Sequence, residues 1–201
     1  MRAVLYIVAV LLVAVSAVAL TPDLQLLETA RYMADQLGDP SAAEAVIASG
    51  LDRERELIRD AKVIVVGRIE EVEERWSEDD RGHPVRPVWL EVTMTADGYL
   101  FGDCGDTLVF CQYQLNPTID LVPSEAITRS ATYAQGDTAL VLLYADCAHL
   151  GECRYPTARS YKYSLSTGVV ESKGILLEDF LSELEEVMVA GSSDTTGASP
   201  N

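Results

Sequence analysis

Between Ala61 and Ser172 the chain is cut at short, regular intervals by turn residues, with β-branched or alternating runs between the cuts. No other feature restricts the fold as much, because parallel βαβ units need a dozen or more residues in each crossover and this spacing leaves no room for them. "KVIVVGRIEEVEERW" is first continuously apolar and then alternates at Ile69, Val72 and Trp76, so it reads as a strand with Gly67 as a bulge. "SEDDRGHP" is a polar turn. "RPVWLEVTMTADGYLF" sets Val88, Leu90, Val92 and Met94 against Trp89, Glu91, Thr93 and Thr95, and ends at an expected turn, Asp97-Gly98. "DTLVFCQYQL" is a third strand, and a long connection with two prolines follows. "DTALVLLY" is a fourth and more fully buried strand, and "SYKYSLSTGVVES" is a hairpin around Ser166-Thr167-Gly168. Such a rhythm predicts a mainly β fold, a small antiparallel barrel or sandwich.

Helices flank this region. Thr21-Pro22 before "DLQLLETARYMADQL" and Gly38 after it supply a cap, a first-turn proline and a terminating glycine. Ser41 to Glu44 carries a capping-box pattern, which predicts a helix through "AAEAVIAS". A second helix is expected through "DRERELIRDA", with Gly50 as the break and the mixed charges on a solvated face. After the sheet, Leu177, Phe180, Leu181, Leu184, Val187 and Met188 share one helical face. The organisation expected is a signal peptide over 1–19, a helical segment over 20–60, a barrel over 61–172, a helix over 173–190 and a disordered polar tail over 191–201.

The amino-terminal nineteen residues have one basic residue, Arg2, then an unbroken apolar run closing on Ala17-Val18-Ala19, the small-x-small pattern of a signal-peptidase site. The run is nearly long enough to span a bilayer, so an uncleaved anchor is the competing reading. Cleavage is expected, giving an extracytoplasmic protein (secreted, periplasmic or in the cell envelope) with no stable membrane insertion afterwards. Removing Arg2 takes the formal net charge from -17 to -18. Such a surface repels nucleic acid and anionic membranes, and suits basic partners or cations.

Export also governs the four cysteines, Cys104, Cys111, Cys147 and Cys153. Outside the cytosol an even set is read as two disulfides. With residues 106–115 extended at ~3.3 Å per residue, Cys104 and Cys111 lie roughly 20 Å apart, against the ~7 Å that a disulfide permits between Cα atoms. The cross-links expected therefore join Cys104 to Cys147 or Cys153, and Cys111 to the other. A loop instead of a strand around Cys104 to Val109 would allow two local bridges. Zinc is disfavoured, because the gaps from Cys104 to Cys111 and from Cys147 to Cys153 exceed ordinary ligand spacing, even with His149 inside the second.

The strand order, with "AKVIVVGRIEEVEE", "VWLEVTMTADGYLFGD", "YAQGDTALVLLY" and "STGVV" in succession, resembles the OB-like modules of secreted bacterial proteins. These are similar in layout to netrin and tissue-inhibitor-of-metalloproteinase modules. The likeness covers Ala61 to Ser172, and "VVGRI" at Val65 to Ile69 and "GDTALVLLY" at Gly136 to Tyr144 are its most recognisable pieces. It implies a five-stranded Greek-key barrel without catalysis, binding a protein or polymer through its loops, and with the strand pattern above the fold expected is a five- or six-stranded antiparallel OB-like barrel with helices before and after it. Metalloproteinase inhibitors chelate zinc through a cysteine at the mature amino terminus. This chain has no cysteine before Cys104, so that mechanism is not carried over.

Other chemistry finds little footing. Asp97, Asp103, Asp106, Asp137 and Asp146 cluster at strand ends, as hard ligands for calcium would, but without a calcium-loop spacing. Their own turn hydrogen bonds account for them. Asp106-Thr107 and Asp137-Thr138 precede apolar strands and lack the glycine of an aspartic protease, so they read as one Gly-Asp turn device used twice. His83 and His149 lie in polar loops with no Gly-x-Ser-x-Gly elbow. Adjacent glutamates from Glu70 to Glu74 on a strand point to opposite faces and make no glycosidase pair. The expected function is that of an exported non-catalytic binding or structural module, recognising an unknown protein or envelope component and requiring no cofactor. The alternatives are a small extracytoplasmic hydrolase or a calcium-responsive surface protein.

Overall fold

A computed structural model describes residues 20–78, 81, 84–114, 133–152 and 157–194. Residues 1–19, expected as a signal peptide, most of the long connection after the third strand, His83, Cys153 and residues 195–201 of the expected tail lie outside the described residues. Among the described residues three helices, α1 (Leu24–Gln36), α2 (Pro40–Asp60) and α3 (Leu177–Asp194), accompany seven strands. These are β1 (Val63–Glu78), β2 (Pro84–Phe101), β3 (Thr107–Gln114), β4 (Thr138–Leu143), β5 (Thr157–Tyr163), β6 (Val169–Val170) and β7 (Ile175–Leu176). They form one antiparallel sheet in the order β3-β2-β1-β4-β5-β6-β7. The expected five or six strands thus become seven, and the ladder is not closed into a barrel.

Strand β1 organises the sheet. Along its length it pairs with β2, and its first part, Val63 to Arg68, also pairs with β4. Val63, Ile64 and Val65 are buried on both faces there, which explains the unbroken apolar run. Val63 and Val65 point into an inner core with Val92, Met94, Phe110, Val141 and Leu143. Ile64 points into an outer core with Leu140, Leu142, Ile58, Phe180, Leu184 and Val187, under the helices. All six residues of β4 are buried for the same reason. In β2 the expected alternation is present: Leu90, Val92 and Met94 are buried, while Trp89, Glu91, Thr93 and Thr95 are half-buried.

Several local expectations are corrected. Asp97-Gly98 is not a turn: β2 runs through it, with Ala96 opposite Gly67 and Gly98 opposite Val66, so Asp97 is the extra residue of a bulge. Gly67 is required there, since a Cβ would lie 2.2 Å from the Thr95 carbonyl oxygen. Nor does Gly50 break a helix. Its missing side chain admits Leu26 of α1, whose Cδ2 would lie 2.6 Å from a Cβ, and α2 continues to Asp60. The cap of α2 is Asp39, which accepts from the Ala42 amide at 2.9 Å, and the Ser41 hydroxyl donates to Asp39 instead of capping. Helix α3 begins at Leu177, after β7, and extends past residue 190 because Gly191 lets it lie against the Arg59 side chain of α2. The repeated Gly-Asp device is present: Gly105 and Gly136 have φ of 84° and 87°, and two residues after each a strand starts, at Thr107 or Thr138.

Where the ladder stops, β3 and β5 still touch. Tyr133 stands in that seam. Its ring meets Phe110 of β3 edge-on at 5.8 Å, and its buried hydroxyl faces Ser160 of β5, burial raising its pKa far above the usual phenol value. The loops on either side are tied by a disulfide between Cys104 and Cys147. Cys111 is also disulfide-bonded and lies beside the same loop, its Sγ 3.9 Å from the Gly151 carbonyl. Cross-links thus stand where backbone pairing between β3 and β5 is missing.

Candidate functional site

The five aspartates singled out above do not converge on one point. The Cys104–Cys147 disulfide brings the loop of Asp103 and Asp106 next to that of Asp146, and all three are exposed. Asp103 accepts from the Gly105 amide at 3.0 Å, and Tyr99 donates to the Gly105 carbonyl at 2.7 Å, so the loop is internally braced. Asp146 lies 2.6 Å from His149 Nδ1, whose bond holds the Asp146 carboxyl below its ordinary pKa. Asp137 lies at the opposite end of β4, 2.5 Å from Lys162. Burial would raise its pKa, but the Lys162 ammonium and the Ala134 amide outweigh that and lower it. Asp97 sits on the β2 bulge, at a shallow groove of about 240 Å³ lined by Val66, Tyr99, Leu100 and Leu181. This is below the size of ordinary small-molecule sites. Among the described residues no group of three or more Asp, Glu, His or Cys is placed to hold a metal ion.

The densest chemistry lies elsewhere, under the strap Leu20 to Asp23 that precedes α1. Lys173, in the turn between β6 and β7, is fully enclosed. Its Nζ donates to the Thr21 carbonyl at 2.6 Å and to Glu54 Oε2 at 2.7 Å, and lies 3.5 Å from Asp23 Oδ1. Tyr161 of β5 donates to the other Glu54 oxygen, and Arg159 of β5 donates to Asp23. The Lys173 ammonium also stands 5.1 Å from the Phe180 ring centroid and 5.6 Å from that of Tyr161, a favourable placement for a desolvated cation. Burial lowers the pKa of Lys173, and Glu54 opposes that shift. On the far side of the strap, Glu183 of α3 accepts from the Thr21 amide at 2.9 Å and from its hydroxyl.

Sequence reasoning missed this cluster. Glu54 belongs to the segment expected to be a solvated face, yet it is 3% exposed. The available signal was its register: Gly50, Glu54, Leu57, Ile58 and Ala61 share one helical stripe, and a carboxylate on an apolar stripe needs a buried cation. The surrounding acid-base mixture does behave as read, with Arg53–Glu56 and Arg55–Asp52 pairs near the surface. Likewise Glu73 and Glu91 flank Arg75 on the outer face of the β1–β2 arm.

Chemically the cluster is a lock and not a reaction centre. Its carboxylates are met by donors on several elements, and Lys173 has no exposed surface through which to reach a substrate. No helix among the described residues is long and apolar enough to cross a membrane. No family model matches the chain, and no curated protein matches it.

Proposed function

We propose that the chain is an exported, non-catalytic binding or structural module of OB-like architecture, recognising a protein or cell-surface component through the loops around the Cys104–Cys147 disulfide. The strand order carries this reading. The first five strands follow β3-β2-β1-β4-β5, with β1 shared between two halves of the sheet and β3 lying against β5. That is the order of a Greek-key OB barrel opened at its last seam. In this reading Tyr133 and the disulfides close the barrel without a backbone ladder. The disulfide-tied loops then form one rigid acidic edge, carrying Asp103, Asp106 and Asp146, suited to a basic partner. Cysteines paired at this edge also agree with an extracytoplasmic location.

The test is capture from the native envelope or medium by the chain from Leu20 to Asn201, with and without the pair Asp103→Asn and Asp146→Asn. A specific component lost on substitution, with the melting midpoint unchanged, is the expected result. Equal capture by both forms, or no specific capture under oxidising conditions, refutes the reading.

A further inference from the structure

The charges around the strap do not balance. Facing it are three carboxylates: Asp23 on the strap itself, Glu54 from α2 and Glu183 from α3. They are met by two cations, Lys173 from the β6–β7 turn and Arg159 from β5, with Tyr161 as a neutral donor. Among the described residues, Asp23 and Glu54 are ion-paired with Arg159 or Lys173, and Glu183 is the one of the three carboxylates that only neutral donors meet. The deficit is local to Glu183. Its two oxygens take the Thr21 amide and hydroxyl, and no Lys, Arg or His among the described residues lies within ion-pair distance of it. The next nitrogen along the chain from the one it binds is that of Leu20, which is 4% exposed and packed with Leu57, Ile58 and Phe180.

We infer that the missing cation is a free α-ammonium at Leu20, so that removing the preceding residues completes the fold by supplying the charge Glu183 faces. This rests on the reading that a leader is cleaved after Ala19. In the precursor the same nitrogen is a neutral amide, and Glu183 keeps only hydrogen bonds. In the mature chain an ammonium beside a half-buried carboxylate forms a charge-assisted contact. The α-amino pKa is therefore raised above its ordinary ~7.7–8.0. A raised amine stabilises the fold fully below the unfolded pKa, and that stabilisation is lost as pH rises through the folded one.

The experiment compares urea unfolding of the chain starting at Leu20 with a free amine and with an Nα-acetyl cap, in the native sequence and in Glu183→Gln, at pH 6 and pH 10. With the amine raised by about one unit, the free-amine chain has an unfolding constant roughly tenfold smaller than the capped chain at pH 6. At pH 10, and in Glu183→Gln at either pH, the two forms coincide. Equal stability at pH 6, or a difference that survives Glu183→Gln, overturns the inference. An NMR titration of the Leu20 amine in the unsubstituted protein decides independently of whether the variant folds: a pKa at or below 8 refutes it. Amino-terminal sequencing of the exported protein tests the leader separately. A start other than Leu20 overturns the inference together with the cleavage reading, while a Leu20 start with a cap that changes nothing removes only the role of the ammonium.

Discussion

Replacing Lys173 by Met tests whether the cluster under the strap behaves as a buried lock. Methionine keeps much of the stem's volume against Tyr161 and Phe180 but removes the ammonium, so the loss is mainly electrostatic. Glu54 is left with the Tyr161 hydroxyl alone, and Asp23 loses one of its two cations. Removing one partner of a buried pair costs about 3–5 kcal/mol, because the other charge stays buried without compensation. A surface bridge would cost about 0–1 kcal/mol. For a chain of this length about 1 kcal/mol moves the melting midpoint by ~2–4 °C, so the expected fall is roughly 6–20 °C. Urea unfolding followed by far-ultraviolet circular dichroism at pH 7 reads it directly, as a lower midpoint with an unchanged slope. The double variant Lys173→Met with Glu54→Leu recovers most of the loss, since an apolar replacement of a buried pair is close to neutral. A cost under ~1 kcal/mol for the single variant, or a double variant no more stable than the single one, would refute the assignment.

Two other consequences can be measured in the same way. Closing a loop of 43 residues with the Cys104–Cys147 disulfide stabilises the fold by about 4 kcal/mol in the chain-entropy model. Cys104→Ala with Cys147→Ala should therefore melt well below the parent under oxidising conditions, and equal midpoints would show that the seam needs no cross-link. Gly67→Ala should be among the most damaging small substitutions, by several kcal/mol, because the new methyl meets the Thr95 carbonyl and not a movable side chain. A loss under ~0.5 kcal/mol in urea unfolding would mean that β1 and β2 separate freely at the bulge.

What could be read in advance follows from how local each signal is. The alternation of Leu90, Val92 and Met94, the doubly buried "TALVLL" and the stripe from Phe180 to Val187 are periodic patterns that tertiary packing only had to accept. The pairing of Cys104 with a residue of the "DCAHLGEC" loop followed from an even, oxidised set of cysteines together with the length of an extended third strand, local bridges being the alternative. Gly50, Asp97-Gly98 and Glu54 misled for the opposite reason. Their local signatures denote a break, a turn and a solvated charge, but partners far along the chain decided each: Leu26, Val66 and Lys173. The third strand's failure to hydrogen-bond with β5, and the strap's place over the buried ions, have no local signature at all. Both depend on residues that meet only after the sheet has formed.

The Cys104–Cys147 pairing has a consequence for the order in which the protein can be made. On the proposed reading of an exported chain, translocation amino terminus first would present Cys104 and Cys111 together, while Cys147 follows 43 residues after Cys104. An oxidant acting at that moment would join the wrong neighbours, since short loops close in tens of nanoseconds, and the error would then require thiol exchange to undo. The antiparallel pairing of β2 with β3 is available early, because both strands precede the missing cysteine. Once formed, it stretches the segment between the two thiols and turns Cys111 inward, where it is fully buried. On the export reading, early pairing of β2 with β3 would keep Cys104 and Cys111 apart until Cys147 emerges.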